Sequence, residues 1–280
     1  MPTHFNVLFT ILLTTFSCTD TPKDFEKAEN KTRTKNPEKE IRGIHLPKGF
    51  SYVDAGDSLY ADWLLDLKFK KSRSVYLYNG QLKSDQFVQY RVLDIDIGTK
   101  DLLQCADAAI KLKADFLFEK NRYNEINFVA TSGDKISFEN WLKGTRWKEQ
   151  GAGLITYTTL RNTDNIKKEY NAFMQLVFSY CGTYSLSKQL RQVDDINSIQ
   201  PGDIFIQGGF PGHAVTVMAV AKNEEGKKIF LLSQGYMPAQ DIHIVKNYAD
   251  PDLSPWYTTS NIDPLFTPQW KFEKGALKRW

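Results

Sequence analysis

Side chains that do nucleophilic chemistry are scarce in this 280-residue chain: it has three cysteines and four histidines. A thiol attacks once it is ionised, and a nearby imidazole can take its proton. Cys105 lies in Leu102-Leu103-Gln104-Cys105-Ala106-Asp107-Ala108, a segment with the apolar spacing of a helix. His213 opens His213-Ala214-Val215-Thr216-Val217-Met218-Ala219-Val220, which has the composition of a strand. A helix-borne cysteine and a strand-borne histidine can form a thiolate–imidazolium pair. Cys181, in Ser179-Tyr180-Cys181-Gly182-Thr183, falls at a helix C-terminus, where the negative end of the dipole disfavours a thiolate. The sequence has no CxxC pair and no two neighbouring histidines, so no zinc ligand set is expected. It also lacks a phosphate-cradling glycine loop and a GxSxG elbow, and no motif calls for a cofactor.

The elements around these residues follow from local pattern. Thr99 or Asp101 can cap a helix reaching residue 119, with Leu102, Ala106, Ala109, Ile110, Phe116 and Leu117 inward. Asp107, Lys111 and Asp115 then fall on its polar face, and Cys105 falls in the second turn, where the dipole has weakened. A second helix is expected over residues 168–180, closed by Gly182 as a C-terminal cap, and a third over 186–193. Residues 57–67 suit a short helix, and 75–78 and 87–97 suit strands. Strands are expected over 203–207, 214–221, 228–233 and 242–245, with a hairpin turn at 223–226. His243 takes an outward position in this reading. Helices in the first half and antiparallel strands in the second give an α+β class with a single domain. Trp141, Trp147, Trp256 and Tyr257 suit core packing better than a binding groove, and Arg146 could hold a carboxylate or be an ordinary surface arginine.

The run Ile199-Gln200-Pro201-Gly202-Asp203-Ile204-Phe205-Ile206, followed by Gly212-His213-Ala214-Val215-Thr216-Val217, resembles the second half of NlpC-class cell-wall amidases. In that class a Pro-Gly-Asp turn opens a strand, and a short loop leads to a histidine heading the next one. The whole chain also resembles an uncharacterised family of exported bacterial proteins with this Gln-Cys-Ala-Asp segment and Pro-Gly-His strand. The resemblance implies a papain-like helix packed on an antiparallel sheet and a cysteine hydrolase of amide bonds, with peptidoglycan peptides as the default substrate. It implies Cys105 as nucleophile and His213 as proton shuttle. The polar group that orients the imidazole comes, in that class, from the strand after the histidine. Here that strand ends Leu232-Ser233-Gln234, making Gln234 the first choice and Gln240 and Asp241 the fallbacks. If Val215 pairs with Gln234, the amide shares a face with His213; a slip of one residue turns it away. Gln104 is the candidate oxyanion donor. The other class of function is a non-catalytic module that binds glycan or peptide on the same scaffold.

Targeting is read from the N-terminus. Residues 5–16 form an apolar stretch too short to span a bilayer, and Ser17-Cys18-Thr19-Asp20 follows it. The Ser17-Cys18 junction resembles the lipobox of bacterial lipoproteins, which implies that residues 1–18 are a lipoprotein signal peptide ending at Cys18, the lipidated residue, and would place the protein in the bacterial cell envelope on a membrane anchor; plain secretion and a buried core segment are the alternatives. Residues 19–40 are polar and charged and read as a disordered tether, with the folded domain over 41–280. With Cys18 lipidated, two cysteines remain in an oxidising compartment, and a Cys105–Cys181 disulfide is the structural alternative to a free nucleophile. The 36 basic residues nearly balance 33 acidic ones with no arginine-rich run, which excludes a nucleic-acid interface.

Overall fold

The computed structural model describes residues 38–53, 59–160, 164–260 and 262–280. Cys18, the expected signal peptide and most of the expected tether lie outside them. The last residues assigned to the tether belong to the domain. The Phe69 N–H donates to the Lys39 carbonyl, Glu38 accepts from Tyr90 Oη at 2.7 Å, and Glu40 pairs with Lys68.

One antiparallel sheet carries the fold. Its strands lie in the order Gln89–Val92, His243–Val245, Lys228–Gln234, His213–Lys222, Ile204–Gln207, Leu277–Arg279 and Arg191–Gln192. Ser51–Tyr52 pairs with the His213 strand and Tyr257–Thr258 with the Lys228 strand. Both faces are covered, which is why His213 to Ala221 is buried without a break instead of alternating with solvent. One face takes the helices, and the other packs Val215, Val217, Phe230 and Leu232 against Phe205, Phe272 and Leu277.

The helix Cys105–Glu119 lies against the His213 strand. Its buried Ala106, Ala108, Ala109 and Ala114 meet a sheet face that is also small, with Ala214, Ala219 and Ala221, so the two backbones come close. Behind it the helix Ile166–Tyr180 packs through Tyr170, Phe173, Met174 and Val177, and Tyr170 stacks on Phe118 with centroids 4.2 Å apart. Among the described residues no helix is long and apolar enough to cross a membrane.

Several local expectations are corrected. Gly182 has an extended backbone and opens the short helix Thr183–Gln189 instead of closing the one before. Arg191–Gln192, expected to be helical, is an edge strand. The hairpin Thr145–Gln150/Gly153–Thr158 was not foreseen, because its first strand is mostly polar and neither strand has one buried face along its length.

Candidate functional site

The Pro201-Gly202-Asp203 turn sets the start of the strand Ile204–Gln207, which leads to His213. Gly202 has φ +90°, and a Cβ there would sit 2.7 Å from the Tyr60 ring, so no other residue fits without strain. The Asp203 carboxylate is fully buried and held by both Arg279 Nε and Nη2, at 2.5 and 2.7 Å, and by the Gln200 N–H. The loop that follows is pressed onto a helix. A Cβ on Gly208 would collide with Ser187 Oγ at 2.1 Å, and one on Gly212 with Thr183 Oγ1 at 2.3 Å. These glycines therefore bring protein backbone close, and they deliver His213 to the first position of its strand.

Cys105 is the first residue of its helix, not a second-turn residue as the sequence suggested. Gln104 is the N-terminal cap, and its N–H donates to Asp107 Oδ2 at 3.0 Å. Asp101, a good cap by residue type, is used elsewhere: its Oδ1 accepts from the Ala239 N–H and from Gln104 Nε2, tying this turn to the loop after Gln234. Cys105 thus stands where the unpaired N–H groups of a helix converge. Its Sγ lies 4.0 Å from the Gly212 carbonyl oxygen and beside the Ala214 N–H, the backbone groups flanking His213. Among the described residues no hydrogen bond joins Sγ to the imidazole; what joins them is this stretch of strand. Burial pushes the thiol up and the Asp107 charge adds to that, while the N–H groups of Ala106, Ala214 and Cys105 itself pull it down.

The imidazole is held as the register argument required. The ladder between the two central strands carries one extra residue, Met218, and then pairs Ser233 with Thr216, which brings Gln234 across from Val215. Gln234 Oε1 lies 3.1 Å from His213 Nε2. Tyr236, Trp270 and Phe272 surround the ring, with centroids 5.2, 5.2 and 5.9 Å away. Burial pushes His213 down to about 4; the Gln234 hydrogen bond opposes this and the Lys83 charge adds to it.

Gln240 and Asp241 do not reach the imidazole. The Asp241 carboxylate is bound by Lys70 Nζ at 2.8 Å and by the Tyr76 N–H at 3.0 Å. His243, expected at the surface, is fully buried, because its strand runs between two others and both its faces are covered. Burial pushes it down to about 3. Asp107, expected on a polar helix face, is 5% exposed, and its Oδ1 has no hydrogen-bond partner among the described residues. Burial holds its carboxyl well above the usual range. Its position three residues after Gln104 is a capping-box spacing that the sequence did offer.

An open cleft of about 610 Å³ runs over the helix start, lined by Gln104, Cys105, Asp107, Cys181, Thr183 and Gly212 and rimmed by Glu149, Phe210 and Met237. Cys105 and Cys181 both carry free thiols, so the disulfide alternative is not formed. Burial, with the Asp107 charge, pushes Cys181 up to about 12. Trp141, Trp147, Trp256 and Tyr257 are core residues, and Arg146 covers the Trp141 ring and binds Glu169 at 3.1 Å. No group of three metal-ligating side chains gathers among the described residues.

No curated protein and no solved structure matches this chain. A family model does: residues 41–279 match the one described as Domain of unknown function (4846), nearly the whole of the folded part, and the chain belongs to that family.

Proposed function

We propose that the domain is a cysteine hydrolase of amide bonds with a papain-like, NlpC-class arrangement, acting on peptides such as those of peptidoglycan. One observation carries the reading. The Cys105 thiol sits at a helix N-terminus against the backbone on either side of His213, whose Nε2 is held by Gln234. In this reading Cys105 Sγ attacks the substrate carbonyl carbon while its proton passes to His213. The imidazolium returns that proton to the leaving amine as the C–N bond breaks, and water then hydrolyses the thioester. The oxyanion is received by the N–H groups of the helix start, with the Gln104 amide at the cleft wall as a second donor. Burial keeps thiol and imidazole neutral at rest, so the proton moves with the attack and not before it.

The same burial favours a second reading, in which the cleft binds a glycan or peptide without turnover. Location is part of the proposal: the apolar stretch at 5–16 and the Ser17-Cys18 junction support export and a lipid anchor on Cys18.

The test is amine release from purified peptidoglycan peptides by the wild type, Cys105→Ala and His213→Ala. Turnover abolished in both variants supports the hydrolase. A wild type no faster than Cys105→Ala, in a cleft that still binds the peptide, replaces it with the binding module.

A further inference from the structure

His213 is one end of a hydrogen-bonded chain through Gln234 to His243, Gln269 and Lys83, and the chemistry of the other end determines where its proton sits. Gln234 Oε1 meets His213 Nε2 at 3.1 Å, while Gln234 Nε2 lies 2.7 Å from Gln269 Oε1 and 3.2 Å from His243 Nε2. An amide flip would exchange these roles, so the assignment needs outside anchors.

Two such anchors exist. Lys83 Nζ lies 2.9 Å from Gln269 Oε1. An ammonium only donates, so the Gln269 atom facing it is the oxygen. That oxygen accepts, so Gln234 must turn its NH₂ toward it. Independently, His243 Nδ1 lies 2.9 Å from the Asp241 carbonyl oxygen, which only accepts. His243 therefore carries its proton on Nδ1 and offers a lone pair on Nε2, which takes the second hydrogen of the Gln234 NH₂. Both anchors require the same Gln234 orientation, with its oxygen toward His213.

We infer that His243 and Gln269 are positioning residues that orient the Gln234 amide, and so hold His213 as the Nε2–H tautomer with its Nδ1 lone pair free to accept a proton. Among the described residues His213 Nε2 is the only nitrogen of that ring in a hydrogen bond. Lys83, Gln269 and His243 come from three distant parts of the chain. His243 and Lys83 are buried, so the chain is shielded from exchange with water that would loosen the amide. The use of that lone pair rests on the hydrolase reading; the tautomer does not.

The experiment is two-bond ¹H–¹⁵N correlation of the histidine rings in the folded protein at neutral pH, on wild type, Gln269→Leu and Gln269→Glu. The inference expects an Nε2–H tautomer for His213 and an Nδ1–H tautomer for His243 in the wild type. Gln269→Leu should give His213 mixed tautomers, and Gln269→Glu, which keeps an acceptor for both Gln234 and Lys83, should restore the single form. An Nδ1–H tautomer for wild-type His213 overturns it, and so does a single Nε2–H form that survives Gln269→Leu. If Gln269→Leu does not fold, Gln269→Met, which matches the length of the side chain without an acceptor oxygen, takes its place in the same comparison. Turnover read alongside should fall roughly tenfold or more with Gln269→Leu, because a mis-set tautomer removes the base. A tautomer that shifts as expected in a protein with no Cys105-dependent turnover keeps this inference and sinks the hydrolase.

Discussion

Asp107 bends back on Gln104: its Oδ2 accepts the Gln104 N–H at 3.0 Å, one residue before the sulfur that opens onto the cleft. This contact caps the helix that starts at Cys105 and not at Thr99, and it does so with a buried carboxyl whose other oxygen has no partner among the described residues. Asp107→Asn keeps an acceptor for the Gln104 N–H and removes a group that burial opposes in its charged form. It should raise the urea midpoint at pH 8 relative to wild type. Asp107→Ala loses the acceptor and should cost about 1 kcal/mol. An Asn variant less stable than wild type at pH 8 would show that the carboxylate is satisfied after all.

The two thiols should separate by reactivity. Both are buried with the Asp107 charge against them, but at Cys105 the backbone N–H groups of the helix start and of Ala214 oppose this, whereas Cys181 has no such offset among the described residues and is pushed up to about 12. Iodoacetamide at pH 8, followed by peptide mapping of the folded protein, should label Cys105 at least about tenfold faster than Cys181. Equal rates would remove the argument from the helix N-terminus.

Gly235 tests how tightly that helix start is clamped. A Cβ there would meet the Gln104 carbonyl oxygen at 2.8 Å and the Ala108 Cβ at 3.1 Å. Neither is the loose end of a flexible side chain, so Gly235→Ala must push the helix off the sheet. The expected cost is about 1–3 kcal/mol in thermal or urea unfolding, with Cys105 labelling altered as the sulfur shifts from Gly212. Full stability in Gly235→Ala would mean the helix start is free to move.

Arg279 is the sole side chain that hydrogen-bonds the buried Asp203 carboxylate among the described residues, and it does so through two nitrogens. Burial drives that carboxyl up and Arg279 opposes it. Arg279→Met strands the charge and should cost about 3–5 kcal/mol, whereas the double variant Arg279→Met/Asp203→Asn should recover much of it. A single variant as stable as the wild type would show that the turn does not depend on this pair.

Much of the site was legible because the relevant patterns are local. The strand run from His213 and the Pro201-Gly202-Asp203 turn are short-range signals, but the register that puts Gln234 across from Val215 depends on the extra residue at Met218, which alternation alone does not announce. What failed was decided by distant groups. Asp101 has the chemistry of a helix cap, but the Ala239 N–H claims it. His243 sits in an alternating strand that looks half-exposed, yet a sheet covered on both faces has no outward side there. Nothing near Lys83 or Gln269 in sequence announces their contact with Gln234 or with each other, since it exists only once two separate loops have packed against the end of the Gln234 strand.

Acid should unfold this domain through its two buried imidazoles. His213 and His243 are pushed to about 4 and about 3, below the ordinary histidine value, so between pH 6.5 and those values the unfolded chain binds protons that the folded chain refuses. Stability is therefore present above pH 6.5 and lost as pH falls, by up to about 1.4 kcal/mol per pH unit for each histidine. Asp107 works in the opposite sense: its folded carboxyl keeps a proton that the unfolded chain releases above the usual carboxylate range, so its contribution falls as pH rises. The two effects oppose each other over the same interval, and Asp107→Asn should unmask the histidines. Urea midpoints measured from pH 7 to pH 4 should fall more steeply in Asp107→Asn than in the wild type. A slope unchanged by that substitution would mean that the Asp107 carboxyl is ionised in the folded protein, and the account of its burial would be wrong.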